Sequence, residues 1–301
     1  MRINIDSGHG ANTAGKRTPP MPFDIDIEGD GKVDIKKNGQ YMEHYANVGV
    51  AVLLVAELKR CGFETTQTGF DDDNPADDID VALSIRQNAI AKTKCDYSIS
   101  IHFNAFGDGT SFNSGEGVGI YIHNKYPGES EVLAQVVIKH LAGGSKQKNR
   151  GIKKKDLAIC NCNALATKGA ILCELAFMTN EVEATKYMSN KEFWKESARE
   201  ICKGLCEYTG IKYVEEVYVP TTTITPASSS KDIKWLQEQL NQVLPVLAGI
   251  VPLKVDGNYG PITRIAVLLY WNRLGWGKSL KDDGTKIGEA TRKALATGKT
   301  K

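Results

Sequence analysis

The sequence predicts a layered α/β catalytic domain, with a mostly parallel sheet flanked by helices, followed by a small all-α domain of three helices. Three observations carry this reading. Short apolar runs alternate with longer stretches of helical period over residues 1–213. A Thr/Ser/Pro-rich stretch without any period, VEEVYVPTTTITPASSSK, interrupts the pattern and sets a linker at 214–230. Turn-then-helix punctuation then repeats from 231 to 301.

In chain order, strands are predicted at Ile3–Asp6, Glu64–Thr68, Tyr97–His102, Gly119–Ile122 and Ile171–Glu174. Between them, Glu43–Arg60 places Val48, Val52 and Val55 at i, i+4 and i+7 on one helical face. A second helix is expected over Asp80–Lys92 and two more after Glu181. In such a sheet, chemistry belongs at the carboxyl ends of the strands.

Composition narrows the function classes. The chain of 301 residues is long enough for two domains, and 41% hydrophobic with 25% charged residues excludes a disordered polymer. No stretch reaches the roughly 20 apolar residues of a membrane span, so no membrane insertion is expected. The opening MRINIDSGHG lacks a long apolar run, so the expectation is synthesis in the cytoplasm without a signal peptide and action after release. Seven cysteines, an odd number all preceding the linker, suit a reduced compartment. The Cys160/Cys162 and Cys202/Cys206 pairs lack a second zinc-knuckle half and read as buried thiols. Residues 231–301 carry 12 Lys/Arg against 6 Asp/Glu, whereas 1–213 carry 26 against 28. The basic tail therefore points toward an anionic surface, with no nucleic acid expected as partner.

Only five histidines are present, yet two close predicted strands: His9 after INIDSG and His102 at the end of YSISIH. Both would project at one rim of the sheet. Glu43 opens the first long helix, which must pack back beside His9. The helix dipole alone would favour a glutamate there, but with two imidazoles it completes a set of three ligands. Such a set leaves the fourth position of a tetrahedral Zn²⁺ for water, the pattern of a catalytic site. Glu174 ends the apolar strand Ala170-Ile171-Leu172-Cys173 and is the candidate proton carrier.

At these residues the chain resembles the bacterial and phage zinc-dependent N-acetylmuramoyl-L-alanine amidases. The resemblance runs through DSGHG with His9, EHYAN with Glu43 and Asn47, SIHFNAF with His102 and Asn104, and ILCELAFMTNEVE with Glu174 and Asn180. It covers about the first 210 residues. It implies one Zn²⁺ held by His9, Glu43 and His102, Glu174 as the catalytic carboxylate, and bacterial peptidoglycan as substrate. Asn47 and Asn104 are candidates for orienting the ligands or touching substrate. Two departures stand out: the segment between His9 and Glu43 is longer and more acidic than the family's, and Cys173 precedes Glu174 where an aliphatic residue is common.

Other features read as structural. Asp26, Glu28, Asp30 and Asp34 alternate as in part of a calcium loop, but the closing glutamate would fall at Lys37, so a solvated acidic turn is expected. His44 points about 100° away from Glu43 on a helix and is expected at the surface. Arg86 reads as a structural ion-pair partner rather than a substrate clamp, and His123 and His140 remain unassigned.

In the tail, LQEQL…VDGNYGPITRIAVLLYW resembles the three-helix peptidoglycan-binding module that accompanies wall hydrolases. Trp235 and Trp271 are expected in its core, and Tyr259, in the turn, is expected to be available for wall binding. A zinc peptidase cutting within the stem peptide, or a non-catalytic wall-binding protein, would share most of these features. The setting expected is a phage endolysin, with a host autolysin freed by mother-cell lysis as the alternative.

Overall fold

The structure, a computed structural model, describes residues 1–246, 249–276 and 283–300. Its contacts divide into two units, Met1–Glu215 and Glu216–Lys301.

The first unit is built on a six-stranded sheet of β1 (Arg2–Ser7), β2 (Glu64–Thr68), β3 (Tyr97–Asn104), β4 (Val118–His123), β5 (Asn149–Lys155) and β6 (Gly169–Phe177). Their order is β2-β1-β3-β6-β4-β5, and every pairing is parallel except β4 against β6. Strand alternation sorts side chains to two faces. Ile171, Cys173 and Leu175 of β6 join one apolar cluster with Leu54 and Leu205, while Ala170 and Leu172 join another with Ile90 and Leu165. Helices α1 (Glu43–Arg60), α3 (Ser130–Ser145) and α6 (Lys191–Thr209) supply the first cluster. Helices α2 (Leu83–Thr93) and α4 (Cys162–Leu165) supply the second, and α5 (Glu181–Glu183) is a single turn after β6.

The sheet's second face is partly polar. Asn4 and Asp6 of β1 are fully buried, Asn4 donating to Thr68 at 3.0 Å and Asp6 accepting from Ser100 at 2.6 Å and Thr68 at 2.9 Å. Such groups survive burial because each is paired.

Helix α1 spans the predicted Glu43–Arg60, whereas α3, β5 and the single turn α4 escape the pattern reading. The α3 segment carries Leu133, Val137, Ile138 and Leu141 at helical spacing and packs against α6. Strand β5, NRGIKKK, is a strand only through its pairing with β4. It lies at the sheet edge, where lysines discourage further pairing. All seven cysteines are buried and free. Where α1 meets α6, the sulfurs of Cys61, Cys202 and Cys206 lie within 4.8 Å of one another. Burial pushes the Cys202 thiol up and that of Cys206 up to about 12, so those two stay protonated near neutral pH, and all three cysteines pack as small hydrophobes.

The second unit holds α7 (Ser230–Val243), α8 (Pro261–Arg273) and α9 (Glu289–Ala296) around Leu236, Leu240, Tyr270 and Leu295. Trp235 and Trp271 are buried there, and Trp271 Nε1 donates to Thr291 at 3.0 Å. Gln237 organises the turn before α8: its amide donates to Asp256 and Asn258, and its carbonyl accepts from the Asp256 and Gly257 amides. Much of the stretch expected as a linker belongs to this unit. Ile224 is fully buried and bridges to Ile287, and Arg292 holds the Thr221 carbonyl at 2.8 Å.

Candidate active site and metal centre

The carboxyl ends of β1, β3 and β6 bring the predicted residues to one rim. His102 and Glu174 are register partners on neighbouring parallel strands, so their side chains share a face. His9 follows β1 with a left-handed backbone, φ 64°, which turns its ring back over the sheet end. The His9 and His102 rings meet edge to face with centroids 4.9 Å apart. Gly8 permits that approach, since a Cβ there would lie 2.1 Å from the His102 ring.

Glu43, the first residue of α1, reaches both imidazoles. Its Oε1 accepts from His102 Nδ1 at 3.0 Å and from the Phe103 amide at 3.1 Å, and its Oε2 lies 3.2 Å from His9 Nε2 without a hydrogen bond between them. Burial opposes its charge, but the contacts with His102 and His9 hold the carboxyl well below its usual range. Glu174 is the opposite case. Burial first, and the Glu43 charge second, push its carboxyl well above the usual value of 4.5. Two carboxylates at one rim are thus driven apart, one lowered and one raised, which is how acid and base roles are divided.

Residues not chosen as ligands hold this rim in place. Arg86, from α2, is 4% exposed; it bonds the Ser7 carbonyl, the His9 carbonyl at 2.8 Å, Asp80 at 3.2 Å and Asp6 at 3.3 Å. It is a structural ion-pair partner and fixes the His9 turn. His44 is fully buried, contrary to the surface position expected from its helical angle. Its Nδ1 lies 2.9 Å from the Gly8 carbonyl and its Nε2 2.9 Å from Asp78. Asn47 Nδ2 donates to the same Gly8 carbonyl at 3.1 Å. Helical angle separates His44 from Glu43 but cannot tell that β1 ends where His44 points. A second histidine beside a candidate ligand was the available signal.

Asn104 lines the cleft, and its Oδ1 accepts from the Ala105 amide. Asn180 caps α5, accepting from the Glu183 amide, and Glu183 in turn accepts from the Phe177 and Gly117 amides. His123 pairs with Asp156 and accepts from the Lys125 and Tyr126 amides, while His140 pairs with Glu207. In the second unit, Tyr259 is not the free ring expected: it packs on the core, and its hydroxyl donates to the Gly284 carbonyl.

The donor atoms of His9, Glu43 and His102 lie within 4.8 Å of one another. Among the described residues no hydrogen bond reaches Glu43 Oε2, Glu174 Oε2 or Asn47 Oδ1, although all three are buried. Leaving such atoms bare is costly, and a cation held by Glu43 and the two imidazoles would relieve it at Glu43 Oε2. Two nitrogens and one carboxylate are a donor set suited to zinc. A cleft of about 290 Å³ holds these residues, and a neighbouring basin of about 430 Å³ shares His9, Lys16, His102, Leu157 and Leu172 with it. A wider groove of about 610 Å³, beside the acidic loop and Trp194, contains none of the chemical residues.

Residues 3–207 match the family described as N-acetylmuramoyl-L-alanine amidase. A curated relative, an uncharacterized cell wall amidase of Bacillus anthracis, is 25% identical over 189 residues and is matched by 60% of this chain. The match spans 34% of that relative's own length. An N-acetylmuramoyl-L-alanine amidase from Clostridium difficile 630 shares the fold with a TM-score of 0.53 at 24% identity, over 70% of this chain and 98% of that one. The catalytic domain of an N-acetylmuramoyl-L-alanine amidase from Bacillus (Paenibacillus) polymyxa var. colistinus gives 0.52 at 22%, over 70% and 99%. The fold and rim geometry agree with a family match over more than half of the sequence, and the chain belongs to the N-acetylmuramoyl-L-alanine amidase family.

Proposed function

We propose that this protein hydrolyses the amide between N-acetylmuramic acid and L-alanine in peptidoglycan, with one zinc ion held by His9, Glu43 and His102. The observation that carries the reading is the pair of buried carboxylate oxygens that no hydrogen bond reaches, Glu43 Oε2 and Glu174 Oε2, beside two imidazoles. When bound, zinc supplies a Lewis acid for the scissile carbonyl and generates a nucleophile from water near neutral pH. Glu174 takes the proton of the attacking water and delivers it to the amide nitrogen as the C–N bond breaks. The products are the lactyl carboxylic acid of the glycan and a peptide with a free L-alanine amine. Arg86, His44 and Asn47 keep His9 in place by holding the carbonyls of Ser7, Gly8 and His9.

The basic second unit takes the role of wall anchor in this reading, supported by its charge and its resemblance to peptidoglycan-binding modules. Opposite charge draws it to anionic wall polymers, an attraction that weakens with salt. Anchoring raises the local substrate concentration for the first unit.

The test is digestion of purified walls by zinc-loaded protein, with mass spectrometry of the new ends. Peptides beginning with L-alanine and intact glycan are expected. New ends inside the stem peptide would replace this reading with that of a zinc peptidase, and undigested walls with that of a binding protein.

A further inference from the structure

We propose that Lys16 and Lys155 form an anion clamp across the cleft, which takes the first free carboxylate of the stem peptide, that of an unamidated glutamate at its second position. This rests on the amidase reading and deepens it, because it names the chemical form of substrate that the site prefers.

Lys16 lies in the segment between β1 and α1, and its carbonyl accepts from the Glu43 amide at 2.9 Å, which ties it to a candidate ligand. Lys155 ends β5, in register with His123 of β4. The sheet order puts β1 and β5 on opposite sides of β3 and β6, the strands bearing His102 and Glu174. Both lysines line the cleft of about 290 Å³ that holds the chemical residues. Both also act electrostatically on Glu174. Among the described residues neither ammonium has a hydrogen-bond or ion-pair partner. Nearby lysines do: Lys154 pairs with Glu131 at 2.9 Å and Lys148 with Glu116 at 3.0 Å. Among the described residues, the two lysines that line the cleft are thus free to take an anion.

The scissile amide is neutral, so these cations are not needed to recognise the bond itself. The nearest anionic group of a stem peptide is the carboxylate on the second residue. One alanine separates it from the scissile nitrogen, about 6 Å along an extended chain. Amidation makes this group a neutral carboxamide of nearly the same shape, so the two forms differ in charge and in the hydrogen-bond donors of the amide. A cleft with partly apolar walls strengthens attraction between a carboxylate and flanking ammonium groups.

The test uses the full zinc-loaded chain with N-acetylmuramoyl-L-alanyl-D-glutamate and its D-isoglutamine counterpart. Turnover gives KM and kcat, and calorimetry on the Glu174→Gln form gives affinity without cleavage. The expected result is an acid form favoured in KM and affinity by about two- to fivefold, the scale of a partly exposed charge pair. Lys16→Met and Lys155→Met should each bring the acid-to-amide ratio toward one through KM, with zinc content intact, and Lys16→Arg should restore it. The preference should shrink as salt rises. Equal affinity for the two forms, or a preference that survives the double Lys→Met variant, would overturn the clamp. So would inorganic phosphate competing as well as L-alanyl-D-glutamate, which would reduce the site to a general anion pocket. Selective binding of the acid form without release of an alanine-terminated peptide would sink the amidase reading and leave the clamp standing. Equal cleavage of both forms would do the reverse.

Discussion

Two groups of carboxylates in the first unit invite comparison: the acidic loop at 24–34 and the rim of His9, Glu43, His102 and Glu174. In the loop the acids are engaged locally. Asp26 accepts from the amides of Gly29, Asp30 and Gly31, Asp34 from Ile27, and Asp24 from Lys37, while Glu28 pairs with Lys191. Apart from that of Glu28, these charges serve the fold of their own segment. At the rim the reverse holds, because buried oxygens of Glu43 and Glu174 are left without hydrogen bonds. Acidic residues close in sequence satisfy one another's backbone, whereas a site for chemistry collects them from distant segments and keeps part of their bonding capacity open.

Metal removal should break the comparison most completely. Chelation is expected to abolish wall lysis and added zinc to restore it, while His9→Ala and His102→Ala lower bound zinc measured by elemental analysis. Full activity in metal-free protein would refute the metal centre. Calcium added to the same protein should leave both lysis and the acidic loop unchanged, with no heat of binding.

Next in size is the division of roles between the two glutamates. Glu174→Gln should keep its zinc and lose about 10²–10⁴-fold in rate, whereas Glu43→Gln should lose zinc and recover partly at high added zinc. If Glu174→Gln loses the metal and Glu43→Gln keeps it, the assignment is reversed. Because the Glu174 carboxyl is held above 4.5 and must be ionised to take a proton, activity should fall as pH drops through that raised value. An acid limb at an ordinary carboxylate pKa would count against the burial argument.

The support behind the rim predicts a stability effect. Arg86→Met leaves Asp6, 1% exposed, without its cation and should cost about 3 kcal/mol in urea unfolding. An unchanged midpoint would show that the Ser100 and Thr68 hydroxyls suffice. The smallest effect belongs to the acidic loop, where Asp26→Asn keeps one acceptor and should shift the thermal midpoint by less than about 2 °C.

Much of this was legible before any coordinates. Glu64–Thr68 and Glu43–Arg60 were predicted with the bounds they have, because local hydrophobic period decides such elements. The ligand candidates were legible because histidine is scarce and both His9 and His102 fall at the carboxyl ends of predicted strands. β5 was not, since its Lys-rich sequence has no buried face and gains its strand conformation from β4 alone. His44 and Tyr259 were misplaced for a related reason: burial depends on what lies opposite, here the Gly8 carbonyl and Asp78 for one and the Gly284 carbonyl for the other.

By itself, then, the sequence determined the alternation of strands and helices, the two-unit plan and the residue types able to hold a cation. Those properties follow from period, composition and side-chain chemistry, each local to a few residues. Tertiary structure alone decided that His102 and Glu174 would be register partners and that the Glu43 carboxyl would be held low while that of Glu174 is pushed up. It also decided that Lys16 and Lys155 would face one cleft. Desolvation and charge proximity are set by segments brought together from across the chain, and no local pattern encodes them.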